Sequence, residues 1–314
     1  MKSKKISFNR NYCFSFIILA LLLCASIALF KYSNSSSATF FTSVEDSKTI
    51  QDDLNGDGKK DILYVKKDDK NYYIQINLHD GTSYALDPSS NFPTLGDSLD
   101  YWPMKVTTLD ASRNNIKEIF LQSSFHGKPI QHMFLWNGKK YDDIFCSNNN
   151  IFGFVDSKNN KTPRIISANI YNGEISYNSY IFVKDKLKQF NYNYPTNYIG
   201  MDIITNFISL VQSFPNESLT LPPYFYHNIS GSDLNLLYGI ANNSMSYSFE
   251  DGLFKDLSWD SNGVPHEVKW SLNFKSTSLS NSKTAKAITF DLLLTKFTNT
   301  DGTFTYKITS LNLR

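Results

Sequence analysis

Three times between residues 72 and 183 the chain alternates apolar and polar residues, breaks on Asp-Gly or Asn-Gly, and alternates again. In "YYIQINLHDGTSYAL", residues 72–86, Ile74, Ile76 and Leu78 share one face and Asp80-Gly81 interrupts the run. "HMFLWNGKKYDDIF" turns on Asn137-Gly138, and "ANIYNGEISYNSYIFV" on Asn172-Gly173. A period of two places side chains on opposite faces of a strand, and these dipeptides accept the positive φ that a two-residue hairpin demands. No helical stripe separates the three. An antiparallel β region is predicted over residues 45–190. The abundance of Asn, Ser, Thr and Tyr agrees, since much of this composition favours a pleated surface over a helix.

Near residue 200 the period changes. "MDIITNFISLVQSF" puts Ile203, Ile204, Phe207, Ile208 and Val211 on one stripe, with Asp202 in the first turn where the helix dipole favours an anion. Pro215 ends this predicted helix, and residues 231–243 read as a second, shorter one. Long alternating runs follow. Val268, Trp270, Leu272 and Phe274 share a face, as do Ile288, Phe290, Leu292 and Leu294. A helix packed on a curved antiparallel sheet buries such one-sided strands most simply. The predicted fold is therefore mainly β with an α+β C-terminal part over 191–314. At 314 residues the chain has room for about two domains.

Residues 13–30, "CFSFIILALLLCASIALF", run without a charge. Lys2, Lys4, Lys5 and Arg10 precede the run, and no acid does. The expectation is a single-pass anchor with residues 1–12 cytoplasmic, 31–44 a linker and the bulk extracytoplasmic. A secretory signal cleaved at Ser26-Ile27-Ala28 or Ser36-Ser37-Ala38 has the same pattern and would release a secreted protein. Without those four cations, 27 basic residues face 29 acids, so no basic patch argues for nucleic acid. Cys13 and Cys24 fall in the apolar run, which leaves Cys146 without a disulfide partner. A metal staple would then be useful.

"DDLNGDGKKDILYV", residues 52–65, supplies one. Numbered from Asp53, positions 1, 3, 5 and 9 are Asp53, Asn55, Asp57 and Asp61, position 6 is Gly58, and position 7, Lys59, can offer its backbone carbonyl. Oxygens on alternate residues of a tight loop can turn toward one centre. An all-oxygen set suits Ca²⁺, a hard cation taking six to eight ligands at roughly 2.3–2.6 Å. Position 12 is Tyr64 inside an apolar run, so no EF-hand helix follows.

A nine-residue loop running straight into a strand resembles the calcium loop of the FG-GAP and VCBS repeat families. The resemblance implies Ca²⁺ held by Asp53, Asn55, Asp57, Lys59 and Asp61, and blades of the kind that build integrin-type β-propellers. Weaker copies recur. "LDASRNNIKEIFLQ" places Asp110, Ser112, Asn114, Asn115 and Glu118 at positions 1, 3, 5, 6 and 9. "VDSKNNKTPRIIS" places Asp156, Lys158, Asn160 and Arg164 at 1, 3, 5 and 9. In this last copy Arg164 is expected to pair with Asp156 in place of a metal. Three blade-length units make an incomplete propeller-like region, since a closed one needs at least about four.

His79, His126, His132, His227 and His266 are scattered, and the acid pairs Asp142-Asp143 and Glu250-Asp251 are adjacent residues expected to face opposite ways. Neither pattern makes a catalytic set. The expected function is a non-enzymatic, membrane-tethered extracytoplasmic binding or scaffold module for a cell-wall polymer or envelope protein. The alternative is an extracytoplasmic glycan hydrolase with an unrecognised acid pair.

Overall fold

A computed structural model describes residues 42–43, 49–156, 162–191, 195, 197–216, 218–280 and 284–314. All fall in one compact unit, Phe41–Arg314. After the short β1 (Thr42–Ser43), the chain forms a meander of β2 (Thr49–Asp52), β3 (Asp61–Lys67), β4 (Tyr72–Asn77) and β5 (Ser83–Ala85). A second meander comprises β6 (Lys105–Leu109), β7 (Glu118–Phe125), β8 (Lys128–Trp136) and β9 (Tyr141–Ser147), with β1 added at its β6 edge. A third comprises β10 (Ile151–Val155), β11 (Arg164–Tyr171), β12 (Glu174–Val183) and β13 (Lys186–Phe190). Within each meander, successive strands pair antiparallel. The three Asp-Gly and Asn-Gly turns join β4 to β5, β8 to β9 and β11 to β12, as the alternation predicts. In all three meanders, the first-to-second connection carries the Asp-led motif, starting at Asp53, Asp110 and Asp156. Residues 157–161 lie outside the described residues.

The C-terminal part contains helices α1 (Met201–Gln212) and α2 (Gly231–Ala241), then β14 (Met245–Trp259), β15 (Pro265–Ser278), β16 (Ala285–Thr298) and β17 (Phe304–Leu313). All five α1 residues of the predicted stripe are buried. Ser230 caps α2, its side chain accepting the Asp233 N–H. Strand β10 pairs in parallel with β14, which fuses the third meander to the C-terminal strands in one eight-stranded sheet. The two backbones come close there. A Cβ at Gly153 would overlap the Phe254 ring, so only glycine fits. The division expected at residue 191 thus falls between strands of a single sheet.

Side-chain alternation explains how the sheets stack. Ile119 and Leu121 of β7 join Leu63, Ile74 and Ile76 of the first meander in one apolar cluster. Phe120, between them, faces the other way and meets Phe154 and Phe152 of β10 edge-on, with centroids 4.7 and 5.6 Å apart. Ile151 and Val155, on the opposite face of β10, join α1, Trp270 and Phe290 in a second cluster. The order is first sheet, second sheet, eight-stranded sheet, helices. A side chain buried like Phe120 is worth about 2–3 kcal/mol against exposure.

The single-pass placement needs correction. Among the described residues no helix is long and apolar enough to cross a membrane. Helices α1 and α2 have 12 and 11 residues, against the roughly 20 apolar residues a span requires. The run 13–30, on which that expectation rested, lies outside the described residues. The membrane anchor and the cytoplasmic and extracytoplasmic assignments that depended on it are not supported.

Candidate functional site

The loop after β2 is closed by its own side chains. Asp53 accepts the N–H of Gly56 at 2.7 Å on one carboxylate oxygen and that of Gly58 at 2.9 Å on the other. Asn55 accepts the N–H of Asp57, and Asp57 that of Lys59, at 3.0 and 2.8 Å. These are turns in which a side-chain oxygen replaces a backbone carbonyl. Gly56 and Gly58 both have φ near +81°, the left-handed region glycine enters without strain. Asp61 begins β3 and is fully buried. Its two oxygens accept from the N–H groups of Leu54 and His79, both at 2.9 Å. Loop and strand are thereby locked together.

Each Asp53 and Asp61 oxygen accepts one backbone N–H, which leaves lone-pair capacity on every expected side-chain donor. The donor set is oxygen only, as a hard cation requires. In this conformation, however, no group of three or more His, Cys, Asp or Glu side chains among the described residues is gathered closely enough to hold a metal. The carboxylates turn to their own backbone rather than to a shared point.

The second loop repeats this scaffold. Asp110 accepts the N–H groups of Asn114 and Asn115, both at 3.1 Å, and Asn114 accepts that of Ile116 at 2.8 Å. Glu118, the ninth position, accepts the N–H of Ala111 at 2.7 Å, as Asp61 does that of Leu54. Positive φ falls on Arg113 and Asn115, the fourth and sixth positions, where the first loop has Gly56 and Gly58. The two loops also touch. A Cβ on Gly56 would lie 2.7 Å from Ile116, and Lys117 Nζ pairs with Asp52 at 2.7 Å. The ninth position differs. Glu118 Oε2 takes both the Ala111 and Ser112 N–H groups, whereas Oε1 is buried without a hydrogen-bond partner. Burial pushes its carboxyl up to about 7, although the Ser112 side chain and then those two N–H groups pull the other way.

Of the third copy, Asp156 is described at the end of β10, buried, with its N–H donated to Asp256 at 2.5 Å. Arg164 lies over the Tyr198 ring, its guanidinium carbon 5.8 Å from the centroid, and not in the expected pair with Asp156. Lys158 and Asn160 lie outside the described residues.

No family model matches this chain, and no curated protein matches it either.

Two polar constellations escaped the sequence reading. A register shift between Phe249 and Asp251 interrupts β14 at Glu250. Asp251 is fully buried, ion-paired to Lys105 and hydrogen-bonded at 2.8 Å by the Trp102 indole. Burial, then the neighbouring Asp251, push Glu250 up to about 7, while Lys275 and Lys105 oppose them. Both acids thus lie within electrostatic reach of Lys105, contrary to the opposite facing expected of adjacent strand residues. On β8, His132 is fully buried and its Nδ1 is 2.7 Å from Asp143. Cys146 is its cross-strand partner. Extending the register that pairs Trp136 with Tyr141 would set His132 opposite Phe145, but a shift between Met133 and Phe134 moves it one residue. An irregularity of that kind has no signature in an alternating pattern.

Proposed function

We propose that this chain is a non-enzymatic binding or scaffold module built on blade-like β-repeats, in which the loop at 53–61 takes up Ca²⁺ in a structural role. The observation that carries the reading is the match between the first two loops. Each lies between the first two strands of a meander, with positive φ at its fourth and sixth positions and with its first and ninth acids accepting backbone N–H groups. That correspondence supports the FG-GAP and VCBS resemblance. Asp53, Asn55, Asp57 and Asp61 would hold the ion, with the Lys59 carbonyl. To hold the ion, these carboxylates would have to turn from their own N–H groups toward one centre. The ion would neutralise the acids and fix the turn that starts β3.

The alternative, a glycan hydrolase, needs two carboxylates open to one substrate. Asp251 is fully buried, with one oxygen on Lys105 and the other on Trp102, so the adjacent pair Glu250-Asp251 does not present two open acids. The binding module is therefore the better-supported reading.

Thermal melts of the full chain with Ca²⁺ and with chelator test the proposal. A ligand at about 100 times its Kd stabilises by roughly 2.7 kcal/mol, a rise of several degrees. Asp57→Ala should abolish the difference. Equal melting temperatures with and without Ca²⁺ would remove the ion from the loop.

A further inference from the structure

A cleft of about 570 Å³ lies at the C-terminal ends of β10 and β14, which run parallel. That volume is within the roughly 300–1,000 Å³ typical of small-ligand sites. Strand register builds one side of it. Val155 and Arg164 are cross-strand partners, and carrying the Ile165–Tyr180 pair one residue further sets Arg164 opposite Ile181. Phe190 pairs with Ser179, two residues from Ile181, so these four side chains stand on one face of the sheet. Trp259, the last residue of β14, also lines the cleft. Its indole N–H donates to Asp256 at 2.7 Å, and Asp256 accepts the Asp156 N–H as well, which ties the two strand ends together.

One cation stands among these apolar groups. Arg164 is half-buried and lies over the Tyr198 ring. Among the described residues it has no ion pair and no hydrogen bond, so its five N–H donors are uncommitted. The two acids of the lining are placed differently. Asp260 accepts the N–H groups of Asn262 and Val264, both at 2.9 Å, and pairs with Lys296 at 2.5 Å. Asp156 is buried, at the loop position where Asp53 and Asp110 each give both oxygens to N–H groups of their own loops. Thr162 and Ser261, both exposed, add uncharged hydroxyls.

A ligand that fills this cleft covers Arg164 together with the apolar groups. A guanidinium stripped of water and given no partner is costly, which disfavours a wholly apolar ligand. A carboxylate supplies the partner, its two oxygens matching two N–H groups of the planar fork. One guanidinium balances one negative charge. Asp156 and Asp260 set like charge against a second, so a phosphate dianion fits worse. The rest of the ligand must be apolar to cover Val155, Ile181, Phe190 and Trp259. We propose that this cleft binds an apolar monocarboxylate, with its carboxylate on Arg164 and its hydrocarbon or aryl body on the four apolar side chains. The inference goes beyond the binding-module reading and does not rest on Ca²⁺ in the loop at 53–61.

Calorimetry on the full chain tests this with 3-phenylpropionate and octanoate, each beside its primary amide, and with 2-phenylethyl phosphate. At least one carboxylate should bind, about tenfold more tightly than its amide, as one charge-assisted contact predicts. Arg164→Gln should weaken that carboxylate about tenfold and leave the amide unchanged. Phe190→Ala should weaken acid and amide alike. Both positions are half-buried, and melting temperatures report whether each variant keeps its fold. Should a variant melt early, the difference between acid and amide on the unaltered chain still decides. Failure of both carboxylates to bind overturns the inference. So does equal affinity for acid and amide, acid affinity indifferent to Arg164→Gln in a folded variant, or 2-phenylethyl phosphate binding as tightly as 3-phenylpropionate. None of these outcomes changes the melts with Ca²⁺ and chelator, so failure of this cleft and failure of the calcium loop are read separately.

Discussion

The loops at 53–61 and 110–118 have one backbone plan and two different acids at its end. Asp61 spreads its two N–H partners over two oxygens, one from its own loop and one from His79 in the β4–β5 turn. Glu118 is longer by one methylene and takes both N–H groups on a single oxygen, from neighbouring residues of its own loop. The second oxygen is left in the interior without a donor. The reach of the side chain decides which backbone groups are satisfied, and that decides which proton state the site favours. The contrast teaches that a repeated loop can keep its geometry while its ninth residue changes from a tether between strands to a buried acid that resists ionisation.

The largest effect should come from cutting the tether. Asp61→Ala removes the acceptor for a buried N–H group, that of Leu54, and for the partly buried N–H of His79, a buried one costing about 1–3 kcal/mol when left unpaired. A loss of roughly 2–5 kcal/mol in urea unfolding is expected, and Asp61→Asn, which keeps one acceptor, should lose less. Were Asp61→Ala to unfold at the wild-type midpoint, the carboxylate would not be holding loop to strand, and the contrast between the two loops would lose one side.

Glu118 provides the next test, and its sign is fixed by linkage. Its folded pKa, about 7, lies above the ordinary 4.5, so the folded state binds the proton more tightly than the unfolded one. The contribution is fully present below pH 4.5 and is lost as pH rises through 7. The shift corresponds to about 3 kcal/mol, at roughly 1.4 kcal/mol per unit. Glu118→Gln should therefore flatten this part of the stability profile between pH 4.5 and 8 relative to wild type. The same measurement in millimolar Ca²⁺ sharpens the comparison. If the ion alone flattens the wild-type profile, the second loop is also a cation site and the two loops are functionally alike.

Much of this organisation is legible in the residues. The three hairpin dipeptides, the α1 stripe and the alternating faces of β15 and β16 each follow from a period and a turn, both local properties. The Asp-led loops follow from spacing. What the residues did not disclose is non-local. The parallel pairing of β10 with β14 joins segments about a hundred residues apart, and only Gly153, read as a place where another backbone comes close, hints at it. The Lys105–Asp251 ion pair and the His132–Asp143 contact lie beside strand irregularities at Glu250 and Ile144, and alternation cannot encode a residue that breaks it. The clustering of carboxylates around an ion was inferred from spacing alone. The loop's own N–H groups compete for the same oxygens, a competition invisible until the backbone is traced.

The smallest effect concerns the fourth position, where the loops make opposite choices. Gly56 sits at φ +81° and Arg113 at φ +66°, so both backbones enter the left-handed region, but only one residue does so without strain. A side chain there costs about 1–2 kcal/mol, whereas a glycine adds unfolded-chain freedom worth about 0.4–1 kcal/mol. Arg113→Gly should therefore stabilise by a few tenths to about 1 kcal/mol. Gly56→Ala should do the reverse and by more, because the new methyl meets Ile116 of the neighbouring loop at 2.7 Å as well as the backbone strain. Opposite signs at equivalent positions, read from two urea midpoints, are what a shared backbone plan demands. If Arg113→Gly destabilised the protein, the arginine side chain would be supplying contacts that offset its strain, and the second loop would owe its shape to something other than the plan it shares with the first.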